Sequence, residues 1–214
     1  MSFLSLRLAP YFEIQVPALV LLVLLCSGCP VAERSADDDD SSVADDDDSA
    51  PLPSFRFWSP DFEDGGTLPE LYECSASNPE LRWEGVPAET EVLTLVFDDS
   101  SFGDYPHWAV FNIPAAVSGL ERGVSGYPGT GNELPEGAQE LVNGGGWTGY
   151  FGSCPCGANP NTYRWRLWAL SEELERPGPG SSSNQFEALV EAAEEVSIEM
   201  LEMSHSYGPA SICR

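Results

Sequence analysis

Hydrophobic residues along this chain gather into dense runs separated by polar, turn-forming stretches. Two of the runs lie close together. Val92, Leu93, Leu95, Val96 and Phe97 form one, and Trp108, Ala109, Val110, Phe111 and Ile113 form the other. Continuous apolar runs of this length, ended by turn residues, predict strands buried on both faces. The first predicted strand ends in Asp98 and Asp99, and the second opens at His107. A carboxylate and an imidazole are thereby expected at the same end of two strands, where a rigid sheet presents chemistry through its loops. Short strands are also predicted at Phe55 to Trp58 and Leu81 to Trp83. Tyr163 to Leu170 alternates arginine with aromatic and aliphatic residues, a strand pattern. Phe186, Leu189 and Val190 recur at helical spacing within Gln185 to Ala193, predicting a short amphipathic helix. The apolar positions from Val196 to Met203 fit either an extension of that helix or a last strand. Six or seven short strands with one late helix describe a mainly β sandwich. Trp83, Trp108, Trp165 and Trp168 fall within the predicted strands and are read as core. The stretch from Gly119 to Gly146 is rich in Gly, Pro and acidic residues and lacks periodicity, the pattern of a functional or mobile loop.

At 214 residues the chain has room for one domain and additional segments, and these segments lie at the N-terminus. Val16 to Leu25 is a run of ten apolar residues, short for a membrane span and suited to a signal-peptide core. It leads into Leu25-Cys26-Ser27-Gly28-Cys29, and small residues directly before a cysteine resemble the lipobox of bacterial lipoproteins. Residues 1–28 are thus expected to be a lipoprotein signal peptide and Cys29 the lipidated N-terminus. Residues 29–53 carry two blocks, Asp37 to Asp40 and Asp45 to Asp48, and cannot bury apolar surface. They read as an acidic, self-repelling linker, without the spacing or turn glycine of a calcium loop. The domain is expected at 54–214.

Charge narrows the partners. Ten of the 35 carboxylates and two of the nine basic residues precede Ser54, leaving the domain at a formal charge of −18 with no lysine. Such a surface repels nucleic acid and anionic headgroups at long range. Of six cysteines, Cys74, Cys154, Cys156 and Cys213 remain in the exported domain. Two disulfides are expected, with Cys154 and Cys156 reaching Cys74 and Cys213 in either order, because neighbours one residue apart rarely pair with each other.

The order of motifs resembles the phosphatidylethanolamine-binding protein family, in its bacterial Raf-kinase-inhibitor-like branch. In that branch an Asp-Pro-Asp-Ala-Pro strand end is followed by a strand opening with His-Trp and closing on an Asn-Ile-Pro-like turn. A Gly-Tyr-x-Gly-x-x-Pro-Pro loop, a Pro-His-Arg-Tyr strand ending in Tyr-Ala-Leu and a late helix come next. Here these stand as Phe97-Asp98-Asp99-Ser100-Ser101, His107 to Pro114, Gly149 to Cys156 and Pro160-Asn161-Thr162-Tyr163 running to Leu170. The resemblance spans about Phe55 to Gly208. It implies a β sandwich with a small preformed anion pocket lined by Asp98, His107, Tyr150, Gly152, Pro155, Asn161 and Tyr163. The chain departs from the pattern at three places. Asp99-Ser100-Ser101 stands where Pro-Asp-Ala is usual, Asn161-Thr162 where His-Arg is usual, and Cys156 replaces the second loop proline.

A histidine beside a carboxylate is expected to have a raised pKa and to donate to an anion, with backbone amides near Gly152 as further donors. The two aspartates at the mouth and the neutral Asn161 predict weaker binding of an anion, of the phosphate-bearing headgroup type, than in relatives with the full motif, or a neutral polar ligand instead. Asp98, His107 and Ser100 or Ser101 are the residue types of a hydrolytic triad, but no Gly-x-Ser-x-Gly elbow is present. His205, in a polar tail, offers no second metal-binding histidine. The expectation is a non-catalytic envelope lipoprotein, periplasmic or at the cell surface, needing no cofactor or metal. Its partners would be a small anionic or polar ligand and a membrane, reached through the anchor on Cys29. The alternative is an envelope protease inhibitor or protein-interaction module using residues 119–146.

Overall fold

The computed structural model describes residues 54–74, 77–127 and 133–213. The signal segment, Cys29 and the acidic linker lie outside the described residues. Nine strands and one α-helix are present among those described, with two short 3-10 turns. A six-stranded sheet has the order β2-β9-β8-β4-β5-β7. Its centre is β4 (Val92–Asp99), β5 (Tyr105–Pro114) and β8 (Asn161–Leu170), flanked by β9 (Ser197–Tyr207). Two-residue strands, β2 (Gly66–Thr67) and β7 (Gln139–Glu140), close its edges. A second sheet holds β1 (Arg56–Trp58), β3 (Leu81–Glu84) and β6 (Gly119–Leu120). The expected mainly β sandwich is therefore the architecture observed.

Every residue of β4 is buried because both faces of the large sheet are covered. Leu93, Leu95 and Phe97 face the small sheet and share a core with Leu81, Trp83, Trp108 and Trp165. Val92 and Val96 face the other way and pack with Phe111, Trp168, Phe186, Leu189 and Ala193. The last three lie on α1 (Ser182–Glu195), whose N-terminus is capped by the Ser181 hydroxyl accepting from the Asn184 amide. Trp83, Trp108, Trp165 and Trp168 are all buried, as expected of core residues. The ambiguous stretch after the helix is a strand, paired along β8 from Leu170↔Ser197 to Asn161↔Tyr207. The alternation of buried Met203, His205 and Tyr207 with less buried neighbours matches a strand, not another helical turn.

Two irregularities in the β4–β5 pairing shape the functional end. Leu93 pairs with Ile113 but Leu95 with Val110, so β5 carries an extra residue near Asn112. Asn112 adopts φ 57°, and its side-chain amide donates to and accepts from the backbone of Leu174 at 2.9 Å each. The second irregularity lies between Phe97↔Trp108 and Asp98↔Pro106, leaving His107 as the extra residue. Such bulges bend the strand and re-aim a side chain.

The segment 119–146 is less free than its composition suggests. Its described parts include β6 and β7, and Glu140 Oε1 accepts from Trp108 Nε1 at 2.6 Å and Ser125 Oγ at 2.5 Å. Helix packing on the large sheet should be worth a measurable share of stability. Leu189→Ala is expected to cost about 2–5 kcal/mol in urea unfolding, whereas Glu194→Ala on the exposed face should stay within about 0.5 kcal/mol. Equal effects would mean that the helix does not form the outer layer of the core.

Candidate ligand pocket

A cavity of about 450 Å³ opens where β4 ends and β5 and β8 begin. Asp99 closes β4; Tyr105 and His107 come from β5, and Asn161 and Tyr163 from β8. Phe102 and the loop from Phe151 to Gly157 complete the wall. Disulfides Cys74–Cys154 and Cys156–Cys213 tie that loop down on both sides of Pro155. Of the expected site residues, His107, Pro155, Asn161 and Tyr163 line this cavity.

Asp98 does not. Strand alternation sends it to the helix-covered face with Val96, while Asp99 continues the Phe97 side. Asp98 is instead the anchor of two guanidiniums. Arg164 donates to its oxygens at 3.1 and 3.2 Å, and Arg166 at 2.5 Å. Burial raises the Asp98 pKa against the pull of those two arginines. The carboxylate of the pocket is Asp99, which a strict reading of the sheet period from Phe97 would have selected. Its Oδ1 accepts from the Ser101 amide at 3.1 Å and hydroxyl at 2.8 Å, and its Oδ2 from Asn161 Nδ2 at 2.6 Å. Burial first, and then the nearby Asp99 charge, push the Tyr163 hydroxyl pKa up.

Tyr150 and Gly152 are also displaced from the expected roles. Tyr150 is fully buried in the core, its hydroxyl donating to the Tyr72 carbonyl at 2.9 Å. The Gly152 amide donates to the Cys74 carbonyl at 2.7 Å and is unavailable to a ligand. A Cβ at Gly152 would meet the Tyr72 carbonyl oxygen at 2.0 Å, so glycine permits this close approach of the loop to the 72–74 backbone.

His107 is held by reciprocal bonds with Phe151. Its Nδ1 lies 2.7 Å from the Phe151 carbonyl oxygen, and its own carbonyl accepts from the Phe151 amide at 3.1 Å. A carbonyl only accepts, so Nδ1 carries the proton and Nε2 is left as the acceptor of the neutral ring. The ring stacks on Phe151 at 4.9 Å and meets Tyr163 edge-on at 5.3 Å. Burial pushes its pKa down to about 4, outweighing the Phe151 carbonyl and the Asp99 charge. This reverses the expectation of a protonated histidine, because desolvation in an aromatic wall exceeds the pull of one carboxylate.

The second histidine was missed as a structural residue. His205 lies in β9, not in a polar tail, and stacks on Tyr163 at 5.1 Å and 12°. Trp165 Nε1 donates to its Nδ1 at 2.9 Å, and its Nε2 faces Ser153 Oγ at 2.8 Å. Burial, and then the proximity of His107, lower its pKa to about 3. The alternation Met203, His205, Tyr207 of buried positions was the available signal. Tyr105, Phe102 and Phe151 were likewise missed as wall residues, Tyr105 being two positions before His107 on the bulged strand. Asp98, His107 and the two serines are not assembled as a triad: Asp98 lies on the other face, the Ser100 hydroxyl donates to the Thr162 carbonyl at 3.0 Å and that of Ser101 to Asp99.

Comparison with known proteins places this geometry in a family. The sequence model of the phosphatidylethanolamine-binding protein family matches residues 58–203. A UPF0098 protein of Methanothermobacter thermautotrophicus is 37% identical over 132 residues, covering 60% of this chain and 84% of that one. The Mycobacterium tuberculosis protein LppC, whose name describes it as a lipoprotein, is 33% identical over 140 residues, 63% of this chain and 65% of its own. The crystal structure of Escherichia coli YbcL, described as a member of the mammalian PEBP family, superposes with a TM-score of 0.63 at 28% identity. That match covers 72% of this chain and 98% of YbcL.

Because both histidines have folded-state pKa values below an unfolded value near 6.5, the unfolded chain takes up protons first on acidification. Their contribution to stability is therefore lost as pH falls from about 6.5 toward about 4 for His107 and about 3 for His205. NMR of the native protein should show both imidazoles neutral at pH 5.5. A native midpoint near 6.5 for His107 would contradict its burial in the aromatic wall.

Proposed function

Since this chain belongs to the phosphatidylethanolamine-binding protein family, we propose that it is a binding protein of the bacterial envelope whose pocket holds a small polar ligand without transforming it. The observation that carries the reading is the cavity at the strand ends, where Asp99, His107, Asn161 and Tyr163 present polar atoms from buried, well-packed elements. Concave sites with a few fixed polar groups among aromatic walls are the usual form of a ligand pocket. The anionic half of the expectation has lost its support. His107 is neutral near pH 7, and the described arginines are engaged elsewhere, Arg164 and Arg166 with Asp98 on the opposite face. The fixed hydrogen-bonding groups of the cavity therefore favour a polar ligand over an anion.

The same contacts support a non-catalytic role. His107 has its Nδ1 fixed on a backbone carbonyl, and the two nearby serine hydroxyls are committed to Thr162 and Asp99. Envelope attachment through Cys29 rests on the sequence before the linker and on the likeness to LppC. A protease-binding role for residues 119–146 has less support, since the described parts are fastened through Glu140, Ser125 and Asn143 into the fold.

Thermal unfolding of the full chain against neutral polyols, amides, amines, carboxylates and phosphate esters tests the pocket. A ligand bound only by the native state raises the midpoint by mass action. At least one compound should do so, with the shift reduced severalfold in affinity by Asn161→Ala; no shift across the panel would remove the reading. For the anchor, Cys29→Ser is expected to move the protein from the membrane fraction to the soluble one. Unchanged partitioning would assign attachment to some other part of the chain.

A further inference from the structure

The two neighbouring aspartates are treated in opposite ways. Asp98, on the helix side, is neutralised by two guanidiniums. Asp99, in the pocket, is bonded by the Ser101 amide and hydroxyl and the Asn161 amide, none of which carries a charge. Its lone pairs are satisfied and its charge is not. Among the described residues no ion pair involves Asp99, and no arginine lines the cavity. The chain has no lysine to supply one.

Resting on the pocket reading above, we propose that this site selects a small organic cation, a protonated amine on an apolar frame. Three features of the cavity converge on that chemistry. Asp99 supplies the uncompensated negative charge at a buried position, where screening by solvent is weak. His107, with its proton on Nδ1, supplies Nε2 as an acceptor for an ammonium N–H. Phe102, Tyr105, Phe151 and Tyr163 supply aromatic walls, whose faces attract cations and whose area takes an apolar frame. The surface acts in the same direction, since a domain of formal charge −18 raises the local concentration of cations. An anion would meet Asp99 with no positive group in the lining. The selected charge is thus the reverse of the one the family resemblance implied.

One molecular frame in three charge states tests the inference. Benzylamine, benzyl alcohol and benzoate are titrated calorimetrically into the full chain at pH 7 in 0.15 M salt, where the Debye length of about 8 Å screens the outer surface. Benzylamine is expected to bind about tenfold tighter than benzyl alcohol, with benzoate weakest. Asp99→Asn should erase the difference between amine and alcohol, and Phe102→Ala, at an exposed wall position, should weaken both. Should Asp99→Asn fail to fold, wild type above the amine's own pKa replaces it, and the neutral amine must then bind like the alcohol. Equal affinities for amine and alcohol would overturn charge selection while leaving the pocket intact. Tighter binding of benzoate would overturn its sign. Amine binding indifferent to both variants would place the amine on the acidic surface and overturn the site, and no binding of any probe would overturn the inference together with the pocket reading.

Discussion

The extra residue in β5 decides what this end of the molecule can do. Pro106 pairs with Asp98 and Trp108 with Phe97, so His107 is the surplus position. In an uninterrupted strand it would share the face of Ala109 and Phe111 and lie under the helix. The bulge turns it to the side of Phe97 and Trp108 instead, where its ring approaches Phe97 at 5.1 Å. From there it bonds Phe151 through both ring and backbone, which fixes the start of the 151–157 loop. The pocket wall is therefore an outgrowth of one pairing irregularity.

That wall is stiffened from outside as well. Two disulfides hold Cys154 and Cys156 to distant points of the chain, with sequence separations of 80 and 57. Cross-links of this kind restrict the unfolded chain and fix the loop in the folded one. Gly152 lets the loop lie against the 72–74 backbone at a distance no side chain would tolerate. The polar groups of the cavity consequently sit on elements with little freedom, the arrangement that recognition by a few hydrogen bonds requires.

Behind the cavity lies a continuous aromatic layer. Phe97 stacks on Trp165 at 3.8 Å, and Tyr163 on His205, which is itself bonded by Trp165 and Ser153. This layer desolvates both imidazoles, so the cavity is lined by a neutral histidine. Charge in the molecule is thereby sorted across the large sheet, with paired Asp98, Arg164 and Arg166 toward the helix and Asp99 toward the cavity.

The two central strands, β8, the late helix, the core tryptophans and the sandwich class followed from the period and composition of the apolar runs, because burial on two faces demands such runs. Local order also indicated that an aspartate and His107 would meet at the strand ends, and that Cys154 and Cys156 would reach Cys74 and Cys213. Tertiary structure decided which aspartate lines the cavity, and that the histidine beside it is neutral. Asp98 and Asp99 are adjacent and identical in type, and only the register of β4 against its neighbours separates the face with arginines from the face with the cavity. The neutrality of His107 depends on rings contributed by Phe151 and Tyr163, far away in sequence, and desolvation by distant residues leaves no local pattern. His205 looked polar among serines because its aromatic partners come from β8. Pairing irregularities and desolvation belong to the assembled sheet, and these set the chemistry of the site.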